Sequence, residues 1–318
     1  MTASVYVPQI LSIPPETAQP IWSVMIPTYN CAAYLQQTLE SVLIQDPGPQ
    51  LMQIQVVDDC STKDNPEAVV QAVGKGRVEF FRQLKNVGAI NNFNTCIQRS
   101  VGKLVHILHG DDFVQADFYH KLQQPLLDQP EVGAAFCRQL FVDEQSQSLV
   151  TTRLEQPISG IFANAVETLA ISNRIQPPAI VVKRVVYEAL GGYDLRLFHA
   201  ADWEMWVRIA ARYPIWYETT PLAAYRIHTA SHTSGLFQSG ANIQNRRQCI
   251  QICQPYLPPA QADILRRKAL GYSIFYALAL AYQFLKHRQA RLSLVQVREA
   301  LVCLWQMVFP DYYNPASL

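Results

Sequence analysis

The chain has almost no surplus of charge. Its 318 residues carry 26 Lys+Arg against 25 Asp+Glu, so it offers no broad basic face to a nucleic-acid backbone, and any phosphate must be met by local groups. The seven cysteines, at positions 31, 60, 96, 137, 249, 253 and 303, form no Cys-x-x-Cys pair. An odd set of scattered thiols argues against a disulfide framework or a zinc site and fits a reducing compartment. No apolar run reaches the ~20 residues that a bilayer-spanning helix needs. The most apolar stretch, 271–285, is closed by Lys286-His287-Arg288 and reads as a buried or interfacial helix. Residues 1–20 lack the positive start and continuous apolar core of a signal peptide, and Pro8, Pro14, Pro15 and Pro20 make them an irregular lead-in. The expected location is cytoplasmic, free or peripheral to the inner face of a membrane. Internal repeats and low-complexity tracts are lacking as well.

What the sequence does have is an apolar run that ends in acid. Lys103-Leu104-Val105-His106-Ile107-Leu108-His109-Gly110-Asp111-Asp112 reads as a buried strand whose C-terminal edge opens into a site. Paired carboxylates repel unless a positive group lies beside them, and a divalent cation carrying a phosphorylated ligand supplies one. A helix cap is the plainer reading, since Asp111 or Asp112 could cap a helix starting near Gln115. The pattern recurs at Ile54-Gln55-Val56-Val57-Asp58-Asp59-Cys60-Ser61, and two strands each ending in Asp-Asp imply one shared site.

Strands are expected at 21–27, 52–57, 77–82, 104–108 and 132–142, with helices at 31–44, 68–73, up to Arg99 and at 117–127. Ser61 or Asp64 can cap the second helix. This alternation argues for right-handed crossovers and a mostly parallel sheet, with ligands beyond the carboxyl ends of its strands. Past Glu144 the pattern weakens. Residues 158–173 read as a helix, 179–183 as a strand, 185–190 as a short helix closed by Gly191-Gly192, 202–211 as a helix, 215–225 as one or two strands and 226–240 as a loop. From Ala241 onward the chain is expected to be helical.

Six pieces in order now resemble a known family: Val24-Met25-Ile26-Pro27-Thr28-Tyr29-Asn30, Val56-Val57-Asp58-Asp59-Cys60-Ser61-Thr62, Asn86-Val87-Gly88, His109-Gly110-Asp111-Asp112, Leu190-Gly191-Gly192-Tyr193-Asp194 and Ala201-Asp202-Trp203-Glu204. From Trp22 to about His232 the chain resembles an inverting family-two glycosyltransferase of the GT-A fold. The resemblance implies an α/β Rossmann-like domain at 21–240, with a nucleotide-binding half at about 21–115 and an acceptor half at about 116–240, followed by a helical region at 241–318.

The resemblance also implies roles. Pro27 and Tyr29 would flank the base of a nucleotide-sugar donor, UDP being the default nucleotide. Asp59, or Asp58, would accept from the base edge, because a carboxylate offers acceptors only. Lys85 and Asn86 would contact base, ribose or phosphates. Asp111 would touch the ribose or a metal-bound water, and Asp112 would ligate Mn²⁺ or Mg²⁺. His228 would join the metal or the diphosphate, with Arg226 a phosphate partner and His232 a weaker candidate. Asp202 takes the position of the general base, with Glu204 as the second choice. The chain departs from the family pattern in Cys60, in Ala201 preceding the base, and in His109, which could tune the site or hydrogen-bond nearby.

The acceptor would be a hydroxyl of a glycan or a lipid-linked sugar, with no nucleic-acid partner. Two rival readings remain. A nucleotidyltransferase is disfavoured because Pro27-Thr28-Tyr29-Asn30-Cys31 is neither glycine-rich nor basic. A non-catalytic nucleotide-sugar-binding module would have no use for a base. The helices after Ala241, apolar on one face and rimmed by Arg266, Arg267, Lys268, Lys286, His287, Arg288 and Arg291, could pack on the catalytic domain, form a homodimer, or rest against an anionic membrane.

Overall fold

The computed structural model describes residues 6–14, 16–228 and 232–309, with the side chains of 232–234 outside that description. Two compact units divide the chain. The first comprises Met1–Ala163, Ile175–Arg196 and Arg212–His228, and the second Asn164–Arg174, Leu197–Ala211 and Thr229–Leu318.

The first unit begins with the expected alternation: β1 (Trp22–Thr28), α1 (Ala32–Leu43), β2 (Met52–Asp58), α2 (Pro66–Gly74), β3 (Glu79–Arg82), α3 (Ala89–Arg99) and β4 (Leu104–Ile107). All seven residues of β1 are buried, as they must be in a strand covered on both faces. The strand pairs in parallel with β2 on one side and β4 on the other. Then come β5 (Phe113–Val114), α4 (Phe118–Asp128), β6 (Ala134–Val142), β7 (Ser148–Thr151) and β8 (Gly160–Ile161).

After the first segment of the second unit, α5 (Ala165–Ile171), the chain forms β9 (Ile180–Lys183) and α6 (Arg184–Leu190), then α7 (Ala201–Ala210) and β10 (Ile215–Arg226). The sheet order is β3-β2-β1-β4-β9-β6-β10-β5, with β7 pairing β6 and β8 pairing β10. Its first four strands are parallel. Beyond them β9 is antiparallel to both β4 and β6, while β6 and β10 are parallel again. The parallel run expected from the sequence therefore makes up one half of a mixed sheet. A core of Val24, Ile26, Leu35, Leu39, Ile54 and Leu122, among others, fills the space between sheet and helices.

Several local expectations are corrected. Residues 158–173 are not one helix: Gly160–Ile161 pair with Trp216–Tyr217, and helix begins only at Ala165. Residues 215–226 form a single strand of 12 residues whose register against β6 shifts around Pro221. Neither Ser61 nor Asp64 caps α2. Asn65 does, accepting from Ala68 N at 3.2 Å, while Ser61 Oγ and Asp64 Oδ2 accept from Asn30 N and Ala32 N in the turn after β1. The lead-in is irregular but anchored, with Ile10 buried and the Pro8 carbonyl accepting from Gly192 N.

In the second unit, part of the expected loop 226–240 is helical, α8 (His232–Ser239), and α9 (Ala241–Cys253), α10 (Ala262–Lys286) and α11 (Ala290–Val308) follow. Among the described residues no helix is long and apolar enough to cross a membrane.

Candidate active site

Strands β1 and β4 lie side by side, Trp22–Met25 against Leu104–Ile107, so the turns that follow them are neighbours. Gly110 N donates to the Pro27 carbonyl at 3.1 Å. A Cβ on Gly110 would stand 2.6 Å from Thr28 Cγ2 and 3.0 Å from Cys31 Sγ, so only glycine lets the acidic turn lie against the end of β1. The buried Thr38 hydroxyl of α1 lies 3.0 Å from the Gly110 carbonyl and 2.7 Å from that of Asp112, which pins the turn from below.

Within this turn the carboxylates are unequally served. Asp112 Oδ1 accepts from Arg226 N at 2.8 Å, but its Oδ2 is buried without a hydrogen-bond partner. Asp111 Oδ2 accepts from His228 Nε2 at 2.9 Å. Burial, then the charge of Asp111, pushes the Asp112 carboxyl well above the usual carboxylate range. Burial also raises Asp111, but the His228 hydrogen bond and the His109 ring outweigh it and hold that group low. His109 stacks on Phe93, 4.8 Å between centroids, and burial lowers its pKa while the Asp111 charge opposes that shift.

His109, Asp111 and Asp112 each offer a ligand atom, all within 4.8 Å of one another. Ligands of an ion bound at ~2.1 Å stand at most ~4.2 Å apart, so the three side chains would close by a few tenths of an ångström to share Mn²⁺ or Mg²⁺. The buried, donorless Asp112 Oδ2 is the kind of atom that such a cation satisfies. His228 reaches the group through Asp111, and its Nδ1 is buried without a hydrogen-bond partner. His232, the weaker candidate, has a side chain outside the described residues.

Arg226 does not fit a phosphate role. Its Nε donates to the Asp111 carbonyl at 2.8 Å, Nη1 to Asp143 O and Ser146 Oγ at 3.0 Å each, and Nη2 to Gln37 Oε1 at 2.6 Å. The guanidinium is buried and lies 4.6 Å from the Tyr34 ring. It is a clasp around the acidic turn.

The first acidic pair, Asp58 and Asp59, is built differently. Asp58 is fully buried and accepts from Ser61 N and Ser61 Oγ, with Arg82 Nη1 at 3.5 Å. Asp59 accepts from Val87 N at 2.7 Å and Gly88 N at 3.0 Å, one bond to each oxygen. Burial raises its pKa and the two N–H groups lower it in part. Asn86 Nδ2 donates to the Asp59 carbonyl at 3.2 Å, closing the same turn. Lys85 and Asn86 are exposed and border an open groove of about 550 Å³ that also includes Gln83 and Asn91 but not the Asp111–Asp112 turn. Tyr29 is 48% exposed, an aromatic face open to solvent, whereas Pro27 is buried within β1.

Asp202 belongs to the second unit. It stands in the first turn of α7, half-buried, with Oδ2 accepting from Asn173 Nδ2 at 2.8 Å and Oδ1 from Trp203 N at 2.7 Å. Burial raises its pKa to about 6, the two hydrogen bonds and the Arg246 charge opposing that rise. A carboxylate with this value changes protonation close to neutrality, as a general base must. Glu204 is instead fully buried and forms an ion pair with Arg208, at 2.9 and 3.0 Å, across one helical turn. Its carboxylate is committed to the core.

The comparisons with known proteins fit this geometry. The model of "Glycosyl transferase family 2" matches residues 23–190, more than half of the chain. The chain belongs to glycosyl transferase family 2. An uncharacterised protein of Mycobacterium tuberculosis is 27% identical to it over 252 residues, 76% of this chain and 77% of that one. An uncharacterised glycosyltransferase of Rickettsia typhi is 23% identical, covering 69% and 67%.

Among solved structures, residues 1–349 of S. aureus TarS in complex with UDP superpose with a TM-score of 0.61 at 13% identity, over 92% of this family 2 chain and 93% of that one. This chain spans only 42% of the longer TarS structure. The mannosyltransferase PcManGT from Pyrobaculum calidifontis, in complex with GDP-Man and Mn2+, gives 0.57 at 18% identity over 93% and 89%. These likenesses establish the fold, GT-A with a C-terminal helical region.

Of the residues near these acids, one was only half seen in the sequence and one was missed. His109 was visible only as a departure from the pattern, and its place beside both aspartates comes from the short turn it opens. Arg246, buried on α9 with its guanidinium 4.7 Å from the Trp203 ring and its charge felt at Asp202, is announced by no motif.

Proposed function

We propose that this family 2 protein is a metal-dependent inverting glycosyltransferase that moves a hexosyl group from a nucleoside-diphosphate sugar, UDP by preference, to an acceptor hydroxyl in glycan, glycolipid or other glycoconjugate synthesis. The observation that carries the reading is the Oδ2 of Asp112, buried with no hydrogen-bond partner, 3.8 Å from His109 Nδ1 and beside Asp111, an arrangement that a divalent cation would complete. Asp112, Asp111 and His109 would hold Mn²⁺ or Mg²⁺, and His228 orients Asp111. When bound, the ion offsets the negative charge that gathers on the departing diphosphate.

Tyr29 offers its exposed ring to the base, with Pro27 fixing the strand end beneath it. Asp59 keeps lone pairs beyond those used by Val87 and Gly88, enough to accept from a base edge. Asp58 supports that turn, and Lys85 and Asn86 contact the ribose or phosphates from the exposed side. Asp202 takes the proton of the acceptor hydroxyl as its oxygen attacks the anomeric carbon, and the sugar inverts because the leaving group departs from the opposite face. Its pKa of about 6 leaves it mostly ionised at neutral pH.

A product assay tests the reading. With UDP-sugars, Mn²⁺ and a panel of glycan and lipid-linked acceptors, release of UDP coupled to acceptor glycosylation is expected. Pyrophosphate release from a nucleoside triphosphate and a sugar phosphate would replace this reading with nucleotidyl transfer. Saturable donor binding with neither product would reduce the chain to a binding module.

A further inference from the structure

Helices α10 and α11 bury one face each and leave a second apolar face uncovered. On α10 the buried positions advance in steps of four, Leu265, Ala269, Ser273, Ala277 and Ala281. On the opposite side Phe275, Tyr282 and Leu285 are 71%, 58% and 58% exposed. On α11 Leu294, Leu301 and Val308 are 68%, 60% and 55% exposed, opposite buried Gln296, Ala300 and Cys303. Exposed apolar side chains repeated at helical spacing along two successive helices mark an interaction surface.

Charge says what kind of surface meets it. Residues 262–309 contain seven Lys/Arg, at 266, 267, 268, 286, 288, 291 and 298, and two acids, Asp263 and Glu299, a local excess of 7 − 2 = 5 in a chain whose overall net charge is +1. Both acids are already engaged, Asp263 with Arg266 and Arg267, and Glu299 with Arg247 at 2.6 Å. Lys268, Lys286, Arg288, Arg291 and Arg298 form no ion pair among the described residues, so that, exposed Asp263 apart, the charge on these helices is positive. Lys286 also lies 4.9 Å from the Tyr282 ring, so the two chemistries meet side by side.

A second copy of the chain fits poorly. A two-fold interface would set this excess of positive charge against itself. An anionic bilayer surface satisfies both features at once, taking the apolar stripe into its headgroup boundary and the rim against its phosphates. Since neither helix can cross a bilayer, they would lie in its plane.

We infer that the α10–α11 face docks the protein onto a membrane surface rich in anionic phospholipid. The inference does not depend on the transfer reaction, and either can fail without the other.

Flotation of the full chain with phosphatidylcholine vesicles, with and without about 30% phosphatidylglycerol, tests it. Binding to the anionic vesicles alone, weakened by salt, is expected. Replacing Lys286, Arg288 and Arg291 together by Gln should weaken it about a hundredfold, at roughly fivefold per charge. The pair Phe275→Ser and Leu301→Ser should weaken it at least about tenfold. All five positions are exposed, so both variants should keep the parent melting temperature and release UDP at the parent rate with a soluble acceptor. Failure to bind anionic vesicles, equal binding to neutral ones, or binding indifferent to both variants would overturn the inference. So would a concentration-dependent dimer that Phe275→Ser and Leu301→Ser dissociates, because the face would then belong to a second copy.

Discussion

At the end of β2 the oxygens of Asp58 and Asp59 meet Ser61, Val87 and Gly88 at hydrogen-bond distance, whereas at the end of β4 the same dipeptide leaves Asp112 Oδ2 buried with no donor. Both turns follow parallel strands of one sheet, and both pairs are largely buried. What separates them is what surrounds each: successive main-chain N–H groups in the first, two imidazoles and a single N–H in the second. A carboxylate that meets a backbone donor at each oxygen holds a loop and keeps only its remaining lone pairs for anything else. One left short of donors leaves the free protein with the cost of that shortage, which a ligand would remove. The second unit repeats the contrast within one helical turn, Asp202 half-buried with a raised pKa and Glu204 locked to Arg208.

The contrast between Asp202 and Glu204 is broken most sharply by Asp202→Asn, which should lower transfer about 10²- to 10⁴-fold, the usual worth of a general base, with donor affinity unchanged by calorimetry. Glu204→Gln should act on stability instead, and equal turnover losses in the two variants would erase the distinction. Next in size, Asp112→Asn should weaken Mn²⁺-dependent donor binding by at least about 10- to 100-fold, while the metal-free protein melts no lower than the parent. A melting point that falls instead would mean the second turn is as structural as the first.

Asp59→Asn should lower stability as well as donor binding, costing about 1–3 kcal/mol in denaturant unfolding because one N–H would then face an amide donor. Donor binding lost without loss of stability would move Asp59 from the loop-holding class to the ligand-holding one. The smallest effect is in the pH profile. Asp202 must be ionised to accept a proton and its pKa is about 6, so turnover should fall about twofold between pH 7 and pH 6, about fivefold more by pH 5 and toward tenfold per unit below that, a limb absent from Asp202→Asn.

Much of this was legible in the chain itself because β1, β2 and β4 are buried on both faces and so read as apolar runs. The ends of β2 and β4 lead into the acids, and Gly110 marks a close approach that permits no Cβ. Features set by distant partners were not legible. A two-residue strand such as Gly160–Ile161 has no periodicity, and only its pairing with Trp216–Tyr217 makes it one. Ser61 and Asp64 looked like caps for α2 because they precede it, yet their acceptors serve the turn after β1. The insertion of β9, antiparallel, between β4 and β6 is a matter of topology that no local pattern encodes. Arg226 resembled a phosphate partner because its four sets of acceptors lie 80 or more residues away in sequence.

That clasp also dates the site within the history of each molecule. The parallel strands of the first hundred residues can pair as soon as they leave the ribosome, since N-terminal segments fold during synthesis. Asp112 meets its main-chain donor 114 positions later, after β6, β7 and β9 have been made. The second acidic turn is therefore finished late, and a chain released before residue 226 would carry it pinned by Thr38 but without the N–H that Asp112 Oδ1 accepts from.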